Sequence, residues 1–213
     1  MKKGFKNILF LAPHTDDAEL GCGGTIARLL EEKCNVFVVA FSTAEESLPE
    51  GSSPGTLSKE FYCAMRSIGV PENNVRTLKY PVRRLSYYRQ DVLEDLVKLR
   101  KELLPDLVFV PAKGDLHQDH EVLHNESLRA FKDMSILGYE LPWNHITFSA
   151  QFFIVLKEHH LNEKLKALQE YKTQIQLQRN YFTKEFIQGL ASVRGTQVKE
   201  KWAEAFEVLR LKM

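Results

Sequence analysis

Asn7-Ile-Leu-Phe-Leu-Ala12 is a short, continuous apolar run, and residues 24–33 then carry apolar side chains at helical spacing. An uninterrupted apolar run of this length is typical of a strand that is buried on both faces of a parallel sheet. Together the two segments predict a strand followed by a helix that packs back onto the sheet. The fold class depends on whether this unit recurs along the chain.

The unit does recur. Apolar runs predict further strands at 35–41, 75–80 and 106–111, and helical spacing predicts helices at 57–68, 90–104 and 121–131. Later in the chain, 146–156 is rich in β-forming residues, 162–178 has helical spacing, and 206–211 is a candidate last strand. Alternating strands and helices predict an α/β fold with a Rossmann-like, mostly parallel sheet and helices on both faces, formed by a single domain over 1–213.

The composition argues against several classes of protein. The chain has 213 residues, and its 29 basic and 28 acidic side chains nearly cancel, so no overall field attracts it to nucleic acid or to an anionic membrane. The apolar stretch 8–13 is too short for a signal peptide or a spanning helix, which predicts a cytoplasmic protein without membrane insertion. Three cysteines without a Cys-x-x-Cys pair argue against a disulfide framework and a cysteine zinc site. The sequence is compatible with a monomer or a homo-oligomer.

The first polar block is Pro13-His-Thr-Asp-Asp-Ala-Glu19, directly after the first predicted strand. Ligands of open parallel sheets bind at the carboxyl ends of the strands. A histidine and several carboxylates at such a position indicate a metal site with an adjacent base. The alternative is that Asp16 or Asp17 only caps the helix that follows.

The second polar block is Gly114-Asp-Leu-His-Gln-Asp-His120, after the strand predicted at 106–111. If that strand is parallel to the first, both blocks lie at the same edge of the sheet. Two histidines and one carboxylate make the three-ligand set of catalytic zinc centres and leave a position for water, although another divalent metal also suits such ligands. Taken alone, the block is equally consistent with an ordinary polar loop.

The two blocks resemble the signatures of the PIG-L, or LmbE-like, family of zinc-dependent N-acetylglucosaminyl deacetylases. Those signatures are a His-Pro-Asp-Asp-Glu block after the first strand and a later His-x-Asp-His block. The likeness extends to Gly23-Gly-Thr25, to Glu60 in the second predicted helix and to 164–174. Two positions depart from the pattern: Thr15 replaces the proline, and Ala18 replaces the glutamate, with Glu19 one place later.

The resemblance implies an N-deacetylase of carbohydrate metabolism, a hydrolase that cleaves the linear amide of an N-acetylated sugar, and it implies roles for six residues. His14, Asp17 and His120 would bind Zn²⁺, Asp16 would be the general base, His117 would stabilise the oxyanion, and Asp119 would hold an imidazole, that of His117 in its protonated form. Two alternatives remain: an amidase that acts on a thiol-sugar conjugate, and a non-catalytic module that binds a sugar or nucleotide.

Substrate contacts are less defined. Three arginines follow the third predicted strand, and they could bind a phosphate or carboxylate of the substrate, such as the diphosphate of a nucleotide sugar: Arg83, Arg84 and Arg89. They could equally pair with acidic residues of the next helix. Trp143 with Tyr139 could form an aromatic wall for a sugar ring or pack a turn. The loop 47–56 is either a substrate cover or a plain surface connection.

Overall fold

A computed structural model describes residues 4–212. Its strands are β1 (Asn7–Ala12), β2 (Asn35–Ala40), β3 (Val75–Thr77), β4 (Leu107–Pro111), β5 (Ser135–Tyr139), β6 (Phe152–Val155) and β7 (Ala203–Arg210). Its α-helices are α1 (Asp17–Glu31), α2 (Thr56–Ile68), α3 (Arg89–Leu103), α4 (Gln118–Ala130), α5 (Glu158–Leu168), α6 (Lys172–Gln176) and α7 (Lys184–Thr196). None of the helices within 4–212 is long and apolar enough to cross a bilayer.

The strands form one sheet in the order β3-β2-β1-β4-β5-β7-β6. The five strands β1 to β5 are parallel, whereas β7 is antiparallel to both of its neighbours, β5 and β6. The predicted mostly parallel sheet is therefore confirmed. The chain builds outward from β1 to β3 and then crosses back to place β4 on the other side of β1. This reversal of strand order opens a crevice at the carboxyl ends of β1 and β4.

Both faces of the sheet are covered by helices. In β1, Ile8 and Phe10 point into a core that includes Ile26 of α1 and Phe61 of α2. Leu9 and Leu11 of the same strand point into a second core, which is formed with α3 and α4. Alternate residues of a strand face opposite sides, so a strand between two helix layers is apolar throughout. This explains the uninterrupted apolar runs of β1 and β4.

Some predicted elements need correction. The strand β5 and the helix α7 were not predicted from the sequence, and each contains a glycine that weakens the local signal. These glycines are required by packing: a Cβ on Gly138 would lie 2.7 Å from the Cα of Ala112, and one on Gly195 would lie 2.7 Å from backbone atoms of residues 200–202. The β-rich stretch 146–156 contributes only β6, and the helix predicted at 162–178 is divided into α5 and α6.

Candidate metal centre and active site

The two polar blocks meet at the crevice because β1 and β4 are adjacent and parallel. His14 Nδ1 lies 3.1 Å from Asp17 Oδ2 and 3.3 Å from His120 Nε2, and His120 Nε2 lies 3.3 Å from Asp17 Oδ2. A tetrahedral centre with ligand bonds of about 2.1 Å has ligand-to-ligand edges of about 3.4 Å. These three atoms, from two segments about 100 positions apart in the chain, therefore have the spacing of one face of a metal coordination shell.

The protonation of the two imidazoles also suits a metal. His14 Nε2 lies 3.0 Å from Asp119 Oδ2, and His120 Nδ1 lies 2.7 Å from Asp115 Oδ2. A carboxylate accepts a hydrogen bond from the N–H that it faces, so in the neutral imidazole the other nitrogen keeps its lone pair. Those other nitrogens are the two that face Asp17. Each histidine is thus oriented as a metal ligand by a carboxylate behind it, as in known zinc sites.

The predicted partner of Asp119 was wrong. The Asp119 carboxylate binds His14 rather than His117, and it also accepts the backbone N–H groups of Arg83 at 2.5 Å and Leu85 at 3.0 Å. His117 is instead the N-cap of α4, where its Nδ1 accepts the backbone N–H of Asp119 at 3.2 Å. An Nδ1 that accepts a hydrogen bond leaves the proton of a neutral imidazole on Nε2.

The charges around the three candidate ligands are strongly coupled in the metal-free protein. Burial lowers the pKa of His14 and of His120, but the Asp17 charge and hydrogen bonds to carboxylates outweigh burial and raise these pKa values to about 9 and about 10. Burial raises the pKa of Asp17, yet His120 and His14 bring it far below its usual range. Among the described residues, no carboxylate is hydrogen-bonded to the His117 ring. Burial, followed by the charges of His120 and His14, therefore lowers the pKa of His117 to about 4. His117 is therefore neutral, contrary to the protonated form that was predicted.

Asp16 is available for chemistry. It occupies the N-cap position of α1, but its side chain makes no capping hydrogen bond, and Asp17 instead accepts the backbone N–H of His14 at 2.8 Å. The alternative that either aspartate serves mainly as a helix cap is not supported by these contacts. The Asp16 side chain lines the cavity beside His14 and His117. Burial and the neighbouring Asp17 charge raise the pKa of Asp16 to about 6.

The site lies at the bottom of a cavity of about 350 Å³. One wall includes Trp143, whose ring stacks on that of Tyr181 with a centroid separation of 3.9 Å. Tyr139, the predicted aromatic partner of Trp143, is fully buried, and its hydroxyl donates to the Leu11 carbonyl. Both ends of the loop 47–56 approach this space, since Ser47 and the adjacent Leu57 line it.

The three predicted substrate arginines have different environments. Arg83 is exposed and lines both the cavity, with Asp16 and the histidines, and a neighbouring surface groove. Arg84 is also exposed, and it lines the groove but not the cavity. Arg89 is bound to the buried carboxylate of Glu126 at 2.5 to 2.8 Å, and Arg129 binds the same carboxylate. Arg89 therefore packs α3 against α4, and the structure does not bring Arg84 or Arg89 to the cavity.

Sequence reasoning gave no role to Asp115, Arg179 or Tyr181. Asp115 precedes His120 by five residues within the second block, so its proximity to a histidine-rich loop was the available signal. Arg179 and Tyr181 lie about 60 residues beyond that block, in a segment without a recognisable motif, and they reach the cavity through the packing of the chain after α6. No local pattern marks them.

Thr15, one of the two departures from the family pattern, and Glu19, which follows the other, both contact the buried Tyr171 hydroxyl. The Tyr171 hydroxyl contacts the carbonyl oxygen of Thr15 and lies 2.5 Å from Glu19 Oε1. Glu19 is fully buried, and burial raises its pKa well above the usual range. Glu19 thus supports the loop backbone through Tyr171, and among the described residues it makes no hydrogen bond to a candidate metal ligand.

A second group, formed by Glu31, His159 and His160, also brings nitrogen and oxygen atoms together. Its chemistry is unsuited to a metal. His160 Nδ1 accepts the backbone N–H of Lys157, so the His160 proton lies on Nε2, which faces Glu31 Oε2 at 2.6 Å. The nitrogen that would have to bind a metal is therefore the protonated one. Glu31 thus binds Lys157 and His160, the two residues that cap the start of α5.

The segment that contains both polar blocks matches a known protein family. The family model described as GlcNAc-PI de-N-acetylase, PIG-L, matches residues 9–131, which include most of β1, all of β4 and every candidate metal ligand. The chain belongs to the PIG-L family of deacetylases. The family resemblance predicted from the blocks is confirmed, and with it the assignment to a group of hydrolases.

Individual relatives agree with this placement. The chain is 28% identical over 176 residues to the uncharacterized deacetylase YaiS of Escherichia coli (strain K12). The matched segment covers 79% of this chain and 91% of YaiS. The fold is shared with N,N'-diacetylchitobiose deacetylase of Pyrococcus horikoshii, with a TM-score of 0.78, 22% identity and coverage of 97% and 85%. It is also shared with GalB, the 4-carboxy-2-hydroxymuconate hydratase of Pseudomonas putida, with a TM-score of 0.80, 19% identity and coverage of 98% in both chains. The PIG-L fold thus does not by itself determine the reaction.

Proposed function

We propose that this PIG-L family protein is a zinc-dependent hydrolase that removes the N-acetyl group of an amino sugar or sugar conjugate and releases acetate and the free amine. The observation that carries the proposal is the convergence of His14 Nδ1, Asp17 Oδ2 and His120 Nε2 within 3.1 to 3.3 Å, with a carboxylate behind each imidazole. Three ligands of this kind leave coordination positions for water and for substrate. A divalent metal held by these residues would act as a Lewis acid that activates water and polarises the amide carbonyl.

Asp16 is the proposed general base. Its carboxylate lines the cavity, and a pKa near 6 leaves it ionised at neutral pH yet basic enough to accept a proton. Asp16 takes the proton from the attacking water as the new C–O bond forms. It then delivers that proton to the sugar nitrogen as the C–N bond breaks, which yields the neutral amine and acetic acid and returns Asp16 to its ionised form. The second proton of the water leaves when the acetic acid ionises to acetate in solvent.

His117 is the proposed donor to the carbonyl oxygen. Its Nδ1 is fixed by the backbone N–H of Asp119, so a neutral ring presents Nε2–H toward the cavity. A neutral donor suits a site that already holds a metal cation, since a second positive charge nearby would be repelled. Donors that are fixed before the reaction stabilise the developing negative charge on oxygen without reorganisation.

The test measures metal content and acetate release together. Zinc-loaded wild type and Asp16→Ala are incubated with free, nucleotide-linked and thiol-linked N-acetyl sugars, which also examines the thiol-sugar amidase alternative. Acetate release that collapses in a variant with unchanged zinc content supports the proposal. Protein that binds no metal, or a wild type that binds metal and releases no acetate from any sugar, would refute it and favour a binding module.

A further inference from the structure

Gln174 is a buried polar residue whose side-chain oxygen has no partner within the described protein. The residue is only 6% exposed, and it lines the cavity together with Asp16 and His117. Among residues 4–212, its side chain makes one hydrogen bond, from Nε2 to Thr173 Oγ1 at 3.4 Å. Oε1 is not among the unpartnered side-chain atoms that protein atoms enclose completely. This oxygen is therefore an acceptor that can be reached from the cavity.

The orientation of the Gln174 amide is set by Thr173. Thr173 donates its backbone N–H to Glu60 Oε1 at 2.9 Å and its hydroxyl to Glu60 Oε2 at 2.5 Å. A carboxylate offers only acceptors, so the hydroxyl proton points to Glu60 and Oγ1 presents a lone pair to Gln174. The NH₂ group of Gln174 must face that lone pair, because an amide oxygen there would place two acceptors against each other. Oε1 is thus left on the side away from Thr173.

The segment that carries Gln174 is tied to the catalytic loop. The backbone N–H of Gln174 donates to the Tyr171 carbonyl at 3.1 Å, and the Tyr171 hydroxyl contacts the carbonyl oxygen of Thr15. Thr15 lies in the chain between His14, a candidate metal ligand, and Asp16, the proposed base. The position of Gln174 is therefore set relative to the groups that would act on the substrate.

An acceptor with no protein partner favours a ligand that carries a donor. An amide oxygen accepts hydrogen bonds and cannot donate them, whereas a sugar hydroxyl can donate. A buried acceptor that stays unpaired in a complex weakens binding, so such a site discriminates against an analogue that lacks the matching hydroxyl. We propose that Gln174 is a specificity-determining residue whose Oε1 accepts a hydrogen bond from a hydroxyl group of the amino sugar. In this inference, which rests on the proposed deacetylation, Thr173 and Glu60 are positioning residues for the amide.

The experiment measures the preference for each hydroxyl group of the sugar. Deacetylation rates are determined for N-acetylglucosamine and for its 3-deoxy, 4-deoxy and 6-deoxy analogues, and the preference is the ratio of their kcat/KM values. Zinc-loaded wild type is compared with Gln174→Met, Thr173→Val, Thr173→Ser and the control Gln176→Met. Gln176 belongs to the same helix α6, but its side chain is exposed and does not line the cavity. In wild type, the preference should be about tenfold or more for at least one hydroxyl.

The variants separate hydrogen bonding from packing. Gln174→Met removes the amide with little change in length, so the preference should fall to near one, whereas Gln176→Met should behave as wild type. Thr173→Val lacks the hydroxyl and should lower the preference about twofold or more, because the amide then has two orientations open to it. Thr173→Ser keeps the hydroxyl and should keep the preference. A role in packing predicts the opposite order, since valine retains the volume of threonine and serine does not.

A wild-type preference near one for all three analogues would overturn the inference. It would also be overturned if Gln174→Met lowered kcat/KM equally for all four sugars, since Gln174 would then only support packing. Calorimetric binding of glucosamine and its deoxy analogues to the zinc-loaded proteins separates this inference from deacetylation. A preference for glucosamine that depends on Gln174, without hydrolysis of any N-acetyl sugar, would refute deacetylation and retain the hydroxyl contact. Hydrolysis without such a preference would refute the contact and retain deacetylation.

Discussion

Replacing Asp115 by asparagine tests how the candidate metal centre is organised. The Asp115 carboxylate accepts hydrogen bonds at Oδ2 from His120 Nδ1 at 2.7 Å and from Asn144 Nδ2 at 3.5 Å, and at Oδ1 from the backbone N–H of His117 at 2.9 Å. An asparagine has only one oxygen, so Asp115→Asn can satisfy the donors on one side of the group only. In one orientation its NH₂ group faces His120 Nδ1, which moves the imidazole proton to Nε2, the nitrogen that faces Asp17. In the other orientation the NH₂ group faces the N–H of His117.

The size of the effect follows from these contacts. Loss of a carboxylate that orients a metal-binding histidine weakens metal affinity by about 10- to 100-fold. A buried donor left without an acceptor costs about 1–3 kcal/mol of folding stability. We therefore expect Asp115→Asn to bind zinc about 10- to 100-fold more weakly than wild type and to fold with modestly reduced stability.

The assay is a competition titration against a chromophoric chelator, with urea unfolding of the metal-free proteins to measure stability separately. Asp106→Asn is the matched control, because Asp106 also accepts backbone N–H groups, from Lys6 and Asn7, at the opposite end of the sheet. The control should keep its zinc affinity. If Asp115→Asn binds zinc within about threefold of wild type, the proposed orientation of His120 by Asp115 is wrong.

Three further changes separate catalysis from packing. His117→Asn keeps an N-cap acceptor for α4 and should lower kcat by about 10²- to 10³-fold with zinc affinity unchanged; a loss of zinc would identify His117 as a ligand. Lys164→Met removes the Nζ that binds the buried Glu204 at 2.7 Å, and urea unfolding should show a loss of about 3–5 kcal/mol, whereas a loss below about 1 kcal/mol would contradict a buried ion pair. Arg89→Gln should reduce stability through Glu126 and leave KM unchanged, and a raised KM would restore Arg89 as a substrate contact.

The main features of the fold could be read from the sequence because burial on both faces produces uninterrupted apolar runs. The runs at β1 and β4 predicted two buried strands, and the polar residues after them predicted a site at one edge of the sheet. The strand β5 and the helix α7 were missed because Gly138 and Gly195 weaken their local patterns. Those glycines are required by close contacts with distant segments, and such contacts leave no periodic pattern in the sequence.

By itself, the sequence determined the parallel core around β1, the two polar blocks and the family to which they belong, since each depends on residues that are close in the chain. Only the tertiary structure decided which nitrogen of each histidine faces Asp17, because hydrogen-bond partners depend on segments that fold together from far apart. The same holds for Arg179 and its position beside Asp16, which arises from the chain after α6 folding over the end of the sheet. Local propensity selects helices and strands, whereas proton positions and cavity charges are set by three-dimensional packing.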